Sequence, residues 1–182
     1  DFDGTIYNGD SSVDFYFYCL RRFPSLCRFW PGQFYAAMLF KLGKIDLTGL
    51  KERLYRYFKG VADMDGAVSD FWAQNIHKIN EFYRRQARAD DVIISASPYF
   101  LLKPVCGELG VRRLIASDVS EKDGVTAGVN CRGVEKVRRF REAFPSDEVN
   151  EFYSDSPADG PLAEIAQRAF MVQDGKILPW PG

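Results

Sequence analysis

Asp1-Phe2-Asp3-Gly4-Thr5 sets two carboxylates one residue apart and follows them at once with a glycine and a hydroxyl. Alternate residues at a strand end share a face, and a turn directly after Phe2 lets the two side chains meet one reacting atom from different directions. Asp1 can then attack phosphorus and form an aspartyl-phosphate. Asp3 can protonate the leaving oxygen and later take a proton from water. An isolated Asp-x-Asp reads better as an acidic turn, so its meaning depends on the rest of the chain.

Three further polar features fall at the ends of predicted elements. Val92-Ile93-Ile94 is a short β-branched run that stops at Ser95, where Ala96-Ser97-Pro98 is expected to open a helix. The Ser95 hydroxyl and backbone N–H groups such as that of Ala96 would cradle a phosphate. Lys136 lies early in an amphipathic segment, Gly133 to Phe144, where its charge could neutralise both nucleophile and transferring phosphoryl group. Phe152-Tyr153 then leads into Ser154-Asp155-Ser156-Pro157-Ala158-Asp159, with two carboxylates four residues apart. Asp155 and Asp159, together with Asp1, suit a hard octahedral cation such as Mg2+. Taken singly, Ser95 reads as a helix cap, Lys136 as a solvated lysine and the two late acids as capping residues. Their joint order at element boundaries favours a functional site.

That order, Asp-x-Asp, then Ser, then Lys, then Asp-x-x-x-Asp, resembles the haloacid dehalogenase superfamily of phosphohydrolases across essentially the whole chain. The resemblance implies Asp1 as nucleophile, Asp3 as general acid/base, Ser95 as phosphate-holding hydroxyl and Lys136 as stabilising cation. It implies Mg2+ held by Asp1, by the backbone carbonyl of Asp3 and by Asp155, with Asp159 supporting the metal site. A strand should aim the nucleophile, so a short apolar strand is expected ahead of Asp1.

The 182 residues are 46% hydrophobic and 27% charged with net charge −1, enough for one core plus an insertion. Near-neutral balance argues against a nucleic-acid surface, which shows a basic excess. Cys19, Cys27, Cys106 and Cys131 have no metal spacing and read as buried free thiols of a reducing cytosol, so a cytoplasmic enzyme is expected. The longest uninterrupted apolar run, Phe34 to Phe40, is too short to span a bilayer.

From Asp90 onward strands alternate with helices, which predicts a Rossmann-like parallel α/β sheet, with ligands beyond the carboxyl ends of the strands. Residues 11–89 read as wholly helical, inserted into a core made of residues 1–10 and 90–182. Helices are expected over Val13 to Phe23, Ser25 to Leu42 and Leu47 to Phe58. A further helical face carries Val68, Phe71, Trp72, Ile76, Ile79, Phe82 and Tyr83. A helical block between the Asp-x-Asp and the serine suits a lid that excludes water during attack and admits it afterwards. Its position resembles the helical cap of the phosphoserine-phosphatase-like branch.

Within the cap, Asp10 matches the place where phosphoserine phosphatases carry a glutamate that grips the substrate amine. Arg53 and Arg56 could hold a substrate carboxylate. Ser95-Ala96-Ser97 and the segment from Ser154 to Asp159 depart from that branch's Ser-Gly-Gly and Gly-Asp-Gly-x-Asn-Asp, which leaves the phosphoserine assignment open. The run Asp10 to Pro24 looks like the cap start of bacterial phosphatidylglycerophosphate phosphatases of the same superfamily. The rings from Phe29 to Tyr35 are expected to pack the cap against the core. Contact with a membrane surface is the less favoured alternative. His77, the only histidine, reads as an ordinary surface residue. The expected activity is hydrolysis of a small or head-group phosphomonoester. Phosphoryl transfer to a second substrate and phosphate-ligand binding without catalysis are the alternatives.

Overall fold

The computed structural model describes residues 1–181. Its α/β part is built from two short hydrogen-bonded groups of strands. β1 (Val92–Pro98) pairs in parallel with β2 (Arg113–Ser117), and α6 (Tyr99–Glu108) makes the crossover between them. β3 (Val149–Ser154) pairs in parallel with β4 (Ala166–Gln173). Asp174-Gly175, both at positive φ, then turn the chain back into the antiparallel β5 (Lys176–Pro179). The facing edges of β1 and β3 flank a cleft of about 910 Å³, lined by Val92, Ile93, Ile94, Val149 and Phe152 and bordered by Asp1.

β1 runs on to Pro98, past the expected stop at Ser95, with a register shift between Ile94 and Pro98. α8 (Gly160–Glu164) is short, and Arg168 already lies in β4. The segment from Val125 to Val129 contributes one antiparallel bridge, Thr126 to Val119.

No strand falls between Ser11 and Gln86. α1 (Ser11–Arg22) starts where the Asp10 carboxylate accepts the Val13 N–H at 3.0 Å, and it ends with Arg21 and Arg22 against the negative end of its dipole. Pro31 splits the helix expected over Ser25 to Leu42 into a 3₁₀ turn, Pro24–Phe29, and α2 (Trp30–Lys41). α3 (Leu47–Tyr55) is capped by Asp46. The last expected helix is broken into α4 (Met64–Asn75), a 3₁₀ turn over Ile76–Lys78 and α5 (Glu81–Gln86). Ile79, at the break, bridges to Tyr7.

The helical block shares its apolar core with the α/β part. Phe2 and Tyr7 stack at 6.1 Å and meet the edge of Trp72 on α4 at 5.9 and 5.5 Å. The Trp72 indole donates to the Leu101 carbonyl of α6 at 2.7 Å. Phe15, Tyr18 and Phe71 continue this core into α1. Burial of each such ring contributes roughly 1.5–3 kcal/mol, which fixes α1 and α4 firmly beneath the Asp1–Asp3 segment.

Two expectations about side chains are corrected. Trp30, Phe34 and Tyr35 do not pack the cap against the core; all three are exposed, and only Phe29 of that run is half-buried. Of the four free cysteines, Cys27 is exposed and the other three are buried. His77 is exposed, as read from the sequence.

Candidate active site

The carboxyl ends of β1 and β3 converge on the first five residues. The Asp1 main-chain nitrogen donates to the Tyr153 carbonyl at 2.7 Å, which moors it to β3. Beyond Asp3 the chain makes a tight loop. Gly4, at φ +69°, donates to the Gly9 carbonyl at 2.8 Å, and Asn80 closes over the loop by donating its side-chain amide to the Thr5 carbonyl. Only a glycine adopts that φ readily.

Asp1 and Asp3 are therefore adjacent yet differently surrounded. Asp3 accepts the Ser11 N–H and the Ser97 hydroxyl, each at 2.6 Å, and the Ser12 hydroxyl lies 2.9 Å from that of Ser97. Burial, with the Asp10 charge adding to it, raises the Asp3 carboxyl above its ordinary range against those two hydrogen bonds. A raised carboxyl holding two donors is suited to carry a proton and return it. Ser11 and Ser97 were not among the residues singled out from sequence. Ser97 follows Ser95 by two along a strand, the spacing that puts both on one side.

Asp1 faces a cation instead. α7 (Val134–Ala143) presents Lys136 on the same buried face as Phe140, one helical turn apart. The Lys136 ammonium donates to Asp1 Oδ1 at 2.9 Å and to Asp159 Oδ2 at 2.6 Å. Asp159 Oδ2 also accepts the Ser154 hydroxyl at 2.8 Å. A lysine buried in an apolar face is tolerable only when such partners surround it. Asp159 was expected to support a metal, but its buried carboxylate oxygen is committed to Lys136 and Ser154, so it holds the lysine.

Asp155 is the carboxylate left open. Its main-chain N–H donates to the Thr5 hydroxyl at 2.9 Å, and no side-chain donor reaches its carboxylate among the described residues. Burial raises it above the ordinary range, with the Asp159 charge adding to the effect. A Cβ at residue 4 would stand 2.1 Å from Asp155 Oδ2, so the carboxylate occupies space that only glycine leaves. Among the described residues no three acidic, histidine or cysteine side chains form a ready-made metal cage. The donors present are hard oxygens from one or two carboxylates and the main chain. That set fits Mg2+, which keeps several waters and completes its shell with substrate phosphate. Asp1, Asp155 and the Asp3 carbonyl are the groups that would hold it.

Ser95 is buried midway along β1; its oxygen accepts the Ser97 N–H at 3.1 Å, which leaves its own O–H as a donor. The Ala96 carbonyl accepts from Lys51 Nζ on α3 at 3.0 Å. Lys51 makes no ion pair among the described residues, and burial lowers it from its ordinary value. Arg53 and Arg56, expected to hold a substrate carboxylate, make no such approach to β1 among the described residues. Arg53 instead bonds back to the Gly49 carbonyl of its own helix, and Arg56 is exposed. Helical phase could have found Lys51, since it lies one turn before the buried Tyr55. Asp10, expected to grip a substrate amine, is exposed and spends one oxygen capping α1. α3 is also tied down by Glu52, which accepts the Thr126 N–H at 3.0 Å.

A buried lysine between two carboxylates, beside a third carboxyl that burial raises, makes a site suited to nucleophilic and acid/base chemistry. Residues 1–164 match the haloacid dehalogenase-like hydrolases, and the chain belongs to that family. A crystal structure of a protein of unknown function from Bordetella pertussis Tohama I is similar in fold. At 21% sequence identity it superposes with a TM-score of 0.74 over 93% of this chain and 86% of its own. No curated protein matches the chain.

Proposed function

We propose that this hydrolase is a Mg2+-dependent phosphomonoesterase that works through an aspartyl-phosphate on Asp1. A carboxylate oxygen of Asp1 attacks phosphorus, the bond to the ester oxygen breaks, and Asp3 gives that oxygen its proton. Asp3 then takes a proton from water as the water oxygen attacks phosphorus. The Asp1–phosphorus bond breaks, and inorganic phosphate leaves. Lys136 pairs with Asp1 and offsets charge on the phosphoryl group, while the Ser95 hydroxyl donates to a phosphate oxygen. Bound Mg2+ would supply further positive charge against the phosphate oxygens.

The observation that carries this reading is the unequal setting of the two acids: Asp1 on a buried ammonium, Asp3 raised by burial and held by Ser97 and Ser11. Lys51 reaches from the helical block to the Ala96 carbonyl, and its remaining donors suit a second anionic group on the substrate. This favours a small or head-group phosphomonoester with a further negative charge over an alkyl phosphate that has no second charged group. Phosphate release from a panel that includes phosphoserine and phosphatidylglycerophosphate tests it. Activity should vanish in EDTA and return with Mg2+. Undiminished release in chelator would overturn the metal assignment, and silence across the panel by folded protein with Mg2+ would overturn the hydrolytic one.

A further inference from the structure

α2 is built inside out. Its buried positions are Gln33 and Ala36, and Gln33 is satisfied there by accepting from Tyr16 Oη at 2.6 Å and donating to the Leu54 carbonyl at 2.9 Å. Trp30, Phe34, Met38 and Leu42 recur every fourth residue and form one outward ridge, with Tyr35 beside it. Their exposures are 42, 72, 49 and 62%, and that of Tyr35 is 57%. A water-facing helix normally shows the reverse pattern. The charges along this stretch of chain are one-sided. From Phe15 to Ile45 the chain has Arg21, Arg22, Arg28, Lys41 and Lys44 and no acidic residue, although its net charge is −1. All five are exposed. Arg28 lies just ahead of the ridge, Lys41 and Lys44 flank its end, and Arg21 and Arg22 end α1 beside the Pro24–Phe29 turn.

We propose that this face docks on an anionic membrane surface, with the α2 ridge in the head-group layer and the five cations against lipid phosphates. Trp and Tyr edges suit that layer, where one side of the ring is apolar and the other wet. The same five charges would repel each other across an interface between two copies of this chain, which disfavours a second copy as the occupant. No helix is long and apolar enough to cross a membrane among the described residues.

The test is co-sedimentation of the full chain with vesicles of phosphatidylcholine alone or mixed with phosphatidylglycerol. Binding should require phosphatidylglycerol, weaken with added salt, and fall at least tenfold in the double variant Phe34→Ser, Met38→Ser. An Arg28→Gln, Lys44→Gln variant should lose binding while keeping the ridge. Both pairs are exposed and none of the four residues belongs to the site around Asp1, so phosphate release from a soluble ester should stay at the wild-type level. That readout separates failure of docking from failure of the proposed chemistry. Equal binding to both vesicle types, or none to either, would overturn the proposal. So would a concentration-dependent dimer abolished by Phe34→Ser, Met38→Ser, which would assign the ridge to a second copy.

Discussion

Lys136 and Asp159 form an ion pair of 2.6 Å in which both side chains are only 3% exposed, and the same ammonium reaches Asp1 at 2.9 Å. Removing the cation leaves two carboxylates facing each other without compensation. Lys136→Met should therefore lower kcat by about 10²–10³-fold, and the melting temperature should drop as well. Asp159→Asn keeps the Asp1 contact and the Ser154 neighbour, so its loss of kcat should be smaller, with KM little changed. Steady-state kinetics on proteins shown to be folded by circular dichroism check both. Equal activity in Lys136→Met would remove the lysine from the reaction.

Asp3 is expected to matter in proportion to how much the leaving oxygen needs a proton. Asp3→Asn should cost about 10²–10⁴-fold on an alkyl phosphate, and far less on an aryl phosphate whose phenolate leaves unaided. Ser97→Ala should shift both in the same direction by a smaller factor, because it removes only the 2.6 Å hydrogen bond that orients the acid. The ratio of alkyl to aryl rates is the measurement. A ratio unchanged by Asp3→Asn would contradict its role.

Lys51 separates binding from chemistry. Lys51→Met should raise KM about tenfold for a substrate with a second anionic group, the size of one lost charge-assisted hydrogen bond, with kcat nearly unchanged. Burial lowers the lysine from its ordinary value, so its charged form costs stability in the folded protein. That cost is present below the folded value and lifts as pH rises from there toward the ordinary lysine value. Lys51→Met should accordingly melt above the wild type at neutral pH, and the gap should narrow in alkali. Melting curves across pH check this, and a gap that widens in alkali would contradict it.

Gly4→Ala probes Asp155 without touching a carboxylate. The added Cβ would need space 2.1 Å from Asp155 Oδ2, at a backbone φ of +69° that alanine resists. The Mg2+ concentration for half-maximal activity should rise at least tenfold, or about 1.4 kcal/mol of metal binding. A variant with normal Mg2+ activation would show that Asp155 is not a ligand.

Much of the site was legible in the sequence because its acids and its lysine stand at element boundaries, where alternation of β-branched runs and amphipathic stretches is easiest to read. Asp1, Asp3, Ser95, Lys136, Asp155 and Asp159 all come to one end of the strands. The division of labour among them was less legible. Asp159 looks like a ligand until Lys136 and Ser154 are seen to occupy it, a contact between residues far apart along the chain. Lys51 is hard to see in the sequence because a helix lysine reads as solvated, and only its place one turn before the buried Tyr55 turns it inward. α2 departs from its sequence pattern for the converse reason. Ring-rich composition predicts burial, and only the inward Gln33, paired with Tyr16 and Leu54, turns the rings outward.

Acid quenching during turnover, followed by mass mapping of the first peptide, tests the role of Asp1 most directly. The expected result is an acyl-phosphate on Asp1, discharged by hydroxylamine, present in the wild type and absent from Asp1→Asn, which should also release no phosphate. Phosphate release by a folded Asp1→Asn protein, or wild-type turnover with no phosphoryl group ever captured on Asp1, would contradict the covalent route.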